Sequence, residues 1–130
     1  MEVEFLKERG REFFEEAEEL LKKKRYNLSA FNLEQAIQLW IKYLIAKEIG
    51  DWPKTHYFSE LIPQLTKAYQ EEKILKFYHK NELFFDNLEE AYFVSRYFPK
   101  KFTENGVSLL LKKSKEFLKL LQKISKENFL

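Results

Sequence analysis

Between Asn27 and Ile49 the chain reads NLSAFNLEQAIQLWIKYLIAKEI, and 14 of these 23 residues are apolar. That is more than a helix burying a single stripe requires. At about 100° per residue the polar minority gathers rather than scatters. Glu34, Gln38 and Lys42 follow at i, i+4 and i+8 with Gln35 beside them, while Leu33, Ala36, Ile37, Trp40, Ile41 and Leu44 fill the remaining arc. A helix with one polar ribbon and an apolar remainder must be covered on at least two sides. The pattern therefore predicts the central helix of a bundle, capped at its start by Asn27 or Ser29 and closed at Gly50.

The flanking segments carry narrower stripes. From Val3 to Arg25, Val3, Leu6, Gly10, Phe13, Ala17 and Leu20 alternate in steps of three and four, an amphipathic helix with Lys22, Lys23, Lys24 and Arg25 at its end. Asp51-Trp52-Pro53 makes a turn. A third helix opening at Thr55 or His56 places Phe58, Leu61, Ile62 and Leu65 on one face, with Pro63 either kinking it or marking a short first turn. Gln70–Asn81 has no clean period and reads as a bend or loop. From Glu82, the positions Phe84, Leu88, Ala91 and Ser95 form a seam that Pro99 stops. A last helix over Glu104–Lys126 aligns Val107, Leu110, Ser114, Phe117, Leu121 and Ile124. The expectation is an all-α, antiparallel up-and-down bundle of four to five helices, one domain over residues 1–130. Its first two helices are antiparallel because the link at Tyr26 is tight.

Composition narrows this further. With 45% hydrophobic and 17% aromatic residues a sizeable core is possible, and three Gly, three Pro and 34% charged residues favour long helices over a turn-rich β fold. A net charge of +2 gives the whole molecule no strong field for nucleic acid. The distribution is uneven, however, with eight Lys against three Glu from Lys100 to Leu130. The absence of Cys excludes disulfides and thiolate chemistry. No apolar run approaches a membrane span, and the charged opening MEVEFLKERG is unlike a secretory signal, so a cytoplasmic protein is expected. Nineteen Glu and nineteen Lys match the composition of heat-adapted proteins.

Most chemistry is poorly supported by the residues available. His56 and His79 stand 23 positions apart with no HxxxH or Glu-x-x-His pair, so no metal site is expected, and no Gly-rich loop or cofactor motif is present. The adjacent pairs Glu71-Glu72 and Glu89-Glu90 read as solvated carboxylates. Two places stand out. The ribbon Glu34, Gln35, Gln38 and Lys42 is either a solvent-facing ladder or the polar lining of a pocket. The stretch AYFVSRYFPKKF, residues 91–102, delivers Arg96, Lys100 and Lys101 with Tyr97 and other aromatics to one helix end. Arg forks onto phosphate and Tyr stacks on a base; alternatively, Arg96 satisfies the last carbonyls of its own helix while Tyr97 and Phe98 pack down.

In this order and spacing, several pieces resemble the HEPN domain family (higher eukaryotes and prokaryotes nucleotide-binding). They are Ala17 and Leu20-Leu21; Tyr26, Ala30 and Gln35-Ala36 in a long second helix; Thr55-His56 and Glu60-Leu61; and Ser95-Arg96-Tyr97 followed by Pro99. Phe98 is an extra residue relative to the family's Arg-Tyr-Pro. The resemblance implies a helical bundle that forms homodimers, often paired with a minimal nucleotidyltransferase as a toxin–antitoxin module. It also implies, in nuclease members, an Arg followed four to six residues later by a His at a dimer cleft. Arg96 matches that Arg, but Lys101, Phe102 and Thr103 stand where the His belongs. Imidazole titrates near neutral pH and Lys does not, so nucleotide or RNA binding through Arg96, Tyr97, Lys100, Lys101 and His56 is expected ahead of catalysis. The alternatives are a ribonuclease toxin in which His56 supplies the missing group, and a structural dimerisation module that spends its aromatics on an interface. If the partner modifies this chain, Tyr97 is the acceptor candidate.

Overall fold

The computed structural model describes residues 2–130, and among them there are six helices and no strand. They are α1 (Glu4–Lys22), α2 (Tyr26–Ile49), α3 (Phe58–Tyr69), α4 (Glu72–Lys80), α5 (Glu82–Tyr97) and α6 (Glu104–Ser125). The all-helical antiparallel bundle agrees with the pattern of the sequence. The sixth helix is the difference: α4 occupies the stretch expected to be a bend or loop. It is only nine residues long and buries Ile74 alone, so it shows no repeating seam. Its weight lies in aromatics, with Phe77 stacked on Phe117 at 5.2 Å and Tyr78 against Phe85 at 5.1 Å.

α2 is buried almost throughout, from Ser29 to Ala46. α1 lies antiparallel along it: Tyr43 Oη is 3.1 Å from Glu4 Oε1, Trp40 Nε1 donates to Lys7 O at 3.0 Å, and Ser29 Oγ donates to Ala17 O at 2.6 Å. Close approach depends on Gly10, where an added Cβ would sit 2.5 Å from Trp40 Nε1. The buried aromatic of α1 is Phe14 rather than the expected Phe13, which is half-buried. Phe14 lies 5.5 Å from the Trp40 ring, on the side of the helix that Gly10 brings nearest.

The α1–α2 link is a tight turn. Lys24 N–H donates to Leu21 O and Arg25 N–H to Leu20 O, with Lys24 at φ 62° in the left-handed region. This is a Schellman closure with Lys where Gly is preferred, at a cost of about 1 kcal/mol. Neither Asn27 nor Ser29 caps α2: its N-cap is Arg25 with no side-chain bond. Both side chains make tertiary bonds instead, Ser29 to α1 and Asn27 to the α5–α6 loop. The far end closes as expected, with Gly50 at φ 87°. Pro63 is the sixth residue of α3, beyond its first turn, and the helix runs through it.

After α6 the chain folds back. Phe129 is fully buried against Trp40, 5.2 Å between ring centroids, and Tyr43. Arg11 Nε donates to Phe129 O at 3.0 Å, and Glu127 accepts from Lys7 at 2.9 Å and from Lys47. Two stability changes are expected in urea unfolding. Gly10→Ala should destabilise by about 1–3 kcal/mol through overpacking on Trp40, although the helix propensity of Ala alone would add roughly 1 kcal/mol. Phe129→Ala should cost about 3–5 kcal/mol, the range for emptying a buried aromatic site.

Candidate functional site

The last turn of α5 carries Arg96 on its exposed side. Arg96 Nε and Nη2 both donate to Tyr92 O, at 3.0 and 2.8 Å, so the side chain satisfies a carbonyl of its own helix. It is not sealed there. The guanidinium carbon lies 4.5 Å from the Tyr92 ring centroid, 4.9 Å from that of Tyr97 and 5.1 Å from that of Phe31 on α2. Two of the five N–H donors of an arginine are spent on Tyr92. Tyr97 and Phe98 do not pack down, being 68% and 59% exposed.

Tyr92 joins Arg96 to His56. The His56 ring stacks on the Tyr92 ring at 4.8 Å and 9°, with Tyr57 and Phe93 at 4.4 and 5.6 Å. His56 Nε2 is buried and has no hydrogen-bond partner among the described residues. The backbone of this segment is held from α2, because Gln38 Nε2 donates to His56 O. His79 lies elsewhere, at the end of α4 beside Glu82.

The polar ribbon of α2 is neither a solvent-facing ladder nor the wall of an open pocket. Glu34 is fully buried and Gln38 nearly so, while Gln35 and Lys42 are half-buried. Gln35 Nε2 donates to Glu34 Oε1 at 2.7 Å. Burial pushes the Glu34 carboxyl up to about 7, against the opposing pull of Gln35, Gln38 and Lys42. Burial likewise lowers the Lys42 ammonium, and nearby Glu34 partly restores it. Glu89 departs from its solvated expectation too. It is half-buried, accepts from Phe58 N–H at 2.6 Å, and so caps the start of α3 from a neighbouring helix. Burial raises its carboxyl despite that bond.

The basic groups of the following loop are placed by Asn27. Its Nδ2 donates to Lys100 O at 2.9 Å and its Oδ1 accepts from Phe102 N–H at 2.7 Å, so the loop is tied to the first turn of α2. Lys100 pairs with Glu90, whereas Lys101 is exposed with no ion pair among the described residues. The structure thus brings Arg96 and His56 together around Tyr92, sets Tyr97 against Arg96, and places Lys100 and Lys101 on the adjoining loop. Phe31, Tyr92 and Glu89 escape a reading of the sequence alone; only the i, i+4 spacing of Tyr92 and Arg96 could have signalled one of them. No three His, Asp or Glu side chains among the described residues come together as a metal cage.

A family model described as HEPN domain matches residues 3–124. The chain belongs to the HEPN domain family. No curated protein and no solved structure matches it. The HEPN match stops short of Phe129, so the returning tail that fills the space beside Trp40 lies beyond the matched residues. No helix of the described residues is long and apolar enough to cross a membrane.

The buried carboxyl yields a pH prediction. Because Glu34 holds its proton more tightly folded than unfolded, its protonated form supports the fold below the ordinary value of 4.5. That support is lost as pH rises from there through about 7. Glu34→Gln should therefore remove a falling slope of stability across this window. It should gain roughly 3 kcal/mol more at pH 8 than at pH 4 relative to the parent, measured by urea unfolding at each pH.

Proposed function

We propose that this HEPN domain binds the phosphate of a nucleotide or RNA through Arg96, assisted by Tyr97, Lys100, Lys101 and His56. We further propose that it acts as a homodimer paired with a minimal nucleotidyltransferase in a toxin–antitoxin-like module. The observation that carries the binding reading is the state of Arg96: an exposed guanidinium held in place by its own helix carbonyl and ringed by Phe31, Tyr92 and Tyr97. A tethered arginine has little rotamer freedom left to lose on binding. Its remaining N–H groups suit an oxyanion, and exposed Tyr97 offers a face on which a base stacks.

One observation favours a ribonuclease reading beside it. His56 and Arg96 pack on the same Tyr92 ring. An imidazole so placed has the chemistry of a general acid or base, and Arg96 that of an anion clamp. In that case His56→Ala abolishes RNA cleavage, a far larger effect than its loss of affinity; a protein with no RNA cleavage before mutation removes this second reading.

Arg96→Ala should weaken binding of a labelled single-stranded RNA or of ATP by about tenfold or more, the scale of a hydrogen bond to a charged group. Unchanged affinity, with circular dichroism and dimer mass intact, would remove Arg96 from the site. Co-expression with a minimal nucleotidyltransferase encoded beside this chain should give a stable complex; separate elution of the two proteins would contradict the pairing.

A further inference from the structure

A second concave surface opens beside this face, where the α1–α2 link meets the α5–α6 loop. It is a shallow hollow of about 300 Å³, open to solvent, and its walls include Lys24, Arg25, Tyr26, Asn27, Lys101 and Phe102. That volume is at the small end of ligand sites, suited to a compact group. Three cations and no carboxylate are among its lining residues, and the Tyr26 hydroxyl of its wall donates to the Glu104 carboxylate at 3.1 Å. None of Lys24, Arg25 and Lys101 forms an ion pair among the described residues, although Lys22 pairs with Glu19 and Lys100 with Glu90 close by in the chain. Like charges converging on one hollow repel one another, and an anion between them relieves that repulsion.

The convergence is built, not incidental to flexible side chains. Lys24 and Lys101 are 77 residues apart and are brought to one pocket by the two Asn27 bonds that fasten the loop at Lys100 and Phe102. Lys24 occupies a left-handed position where Gly would fit with less strain. The pocket also adjoins the Arg96 surface through one helix. Asn27 and Phe31 are a single turn of α2 apart, about 6 Å of rise, and Phe31 is one of the rings around Arg96.

We propose that this pocket is a second anion site, in which Lys24 and Arg25, with Lys101 shared from the adjoining Arg96 face, grip a phosphate group. The pocket stands on its own geometry. That its occupant and the anion on Arg96 belong to one ligand with at least two phosphates rests on the function proposed above.

Lys24→Gly is the informative variant, because it removes a cation while relieving the backbone and so does not threaten folding. Arg25→Gln and Arg96→Ala complete the set. Binding of a labelled single-stranded RNA octamer is followed by anisotropy across roughly 50–200 mM salt, and binding of inorganic pyrophosphate by calorimetry. Lys24→Gly should unfold at a higher temperature than the parent yet bind about fivefold more weakly. Its salt slope should be shallower by about 0.7 for the lost phosphate contact. Arg25→Gln should behave alike in binding, and the pyrophosphate heat should fall in both while persisting in Arg96→Ala. A loss confined to pyrophosphate assigns the pocket to free phosphoryl anions, and a loss confined to the octamer assigns it to a strand backbone. Unchanged affinity and slope for both ligands in Lys24→Gly and Arg25→Gln would overturn the proposal, even if Arg96→Ala weakens binding. Weakening in the pocket variants alone would keep this site and remove Arg96.

Discussion

The approach of α1 to α2 across Gly10 governs this structure. With no side chain at Gly10, the Trp40 indole lies against the α1 backbone and donates to Lys7 O. Once α1 is that close, α2 is enclosed on one flank, and α3, α5, α6 and the returning Phe129 close the others. A helix so enclosed has little solvent face left for its polar residues, and Gln35 and Lys42 stay half-buried. Glu34 and Gln38 are therefore taken inside, where hydrogen bonds from Gln35 and to His56 O offset part of the cost of burying them.

The same enclosure shapes the exposed face. Gln38 fixes the backbone at His56, and Glu89 fixes the start of α3. Between them His56 is laid flat on Tyr92, whose ring and carbonyl both contact the Arg96 side chain. On the first turns of α2, Phe31 contributes to the ring around Arg96 and Asn27 holds the lysine-bearing loop. One buried helix thus reaches the surface at a point where aromatic and cationic groups from three chain segments meet. Such a mixture of stacking surfaces and unpaired cations is what a phosphate-bearing ligand requires.

The long elements were legible because their burial is periodic. α2 showed itself through its apolar excess, α1 and α6 through single seams, and Gly50 as a stop. α4 was hidden because a nine-residue helix that buries only Ile74 repeats nothing. The polar ribbon was visible, but not its burial: the stripe looks the same whether water or protein covers it, and only the crowding around α2 decides. Arg96 and Tyr97 were picked out by residue type, and both stand exposed at the end of α5. Asn27, expected as a cap, is a clamp instead, because its partners lie more than 70 residues away and leave no trace in local spacing.

The most direct test of the proposed face is its footprint on the backbone. Amide chemical shifts of the protein, followed by NMR as a single-stranded RNA octamer is added, should move at Phe31, Tyr92, Arg96–Phe98, Lys100–Phe102 and Lys24–Asn27 while the rest of the spectrum stays in place. Shifts absent from those residues would contradict the account. So would shifts gathered instead around the exposed Leu83 and Leu109 on α5 and α6.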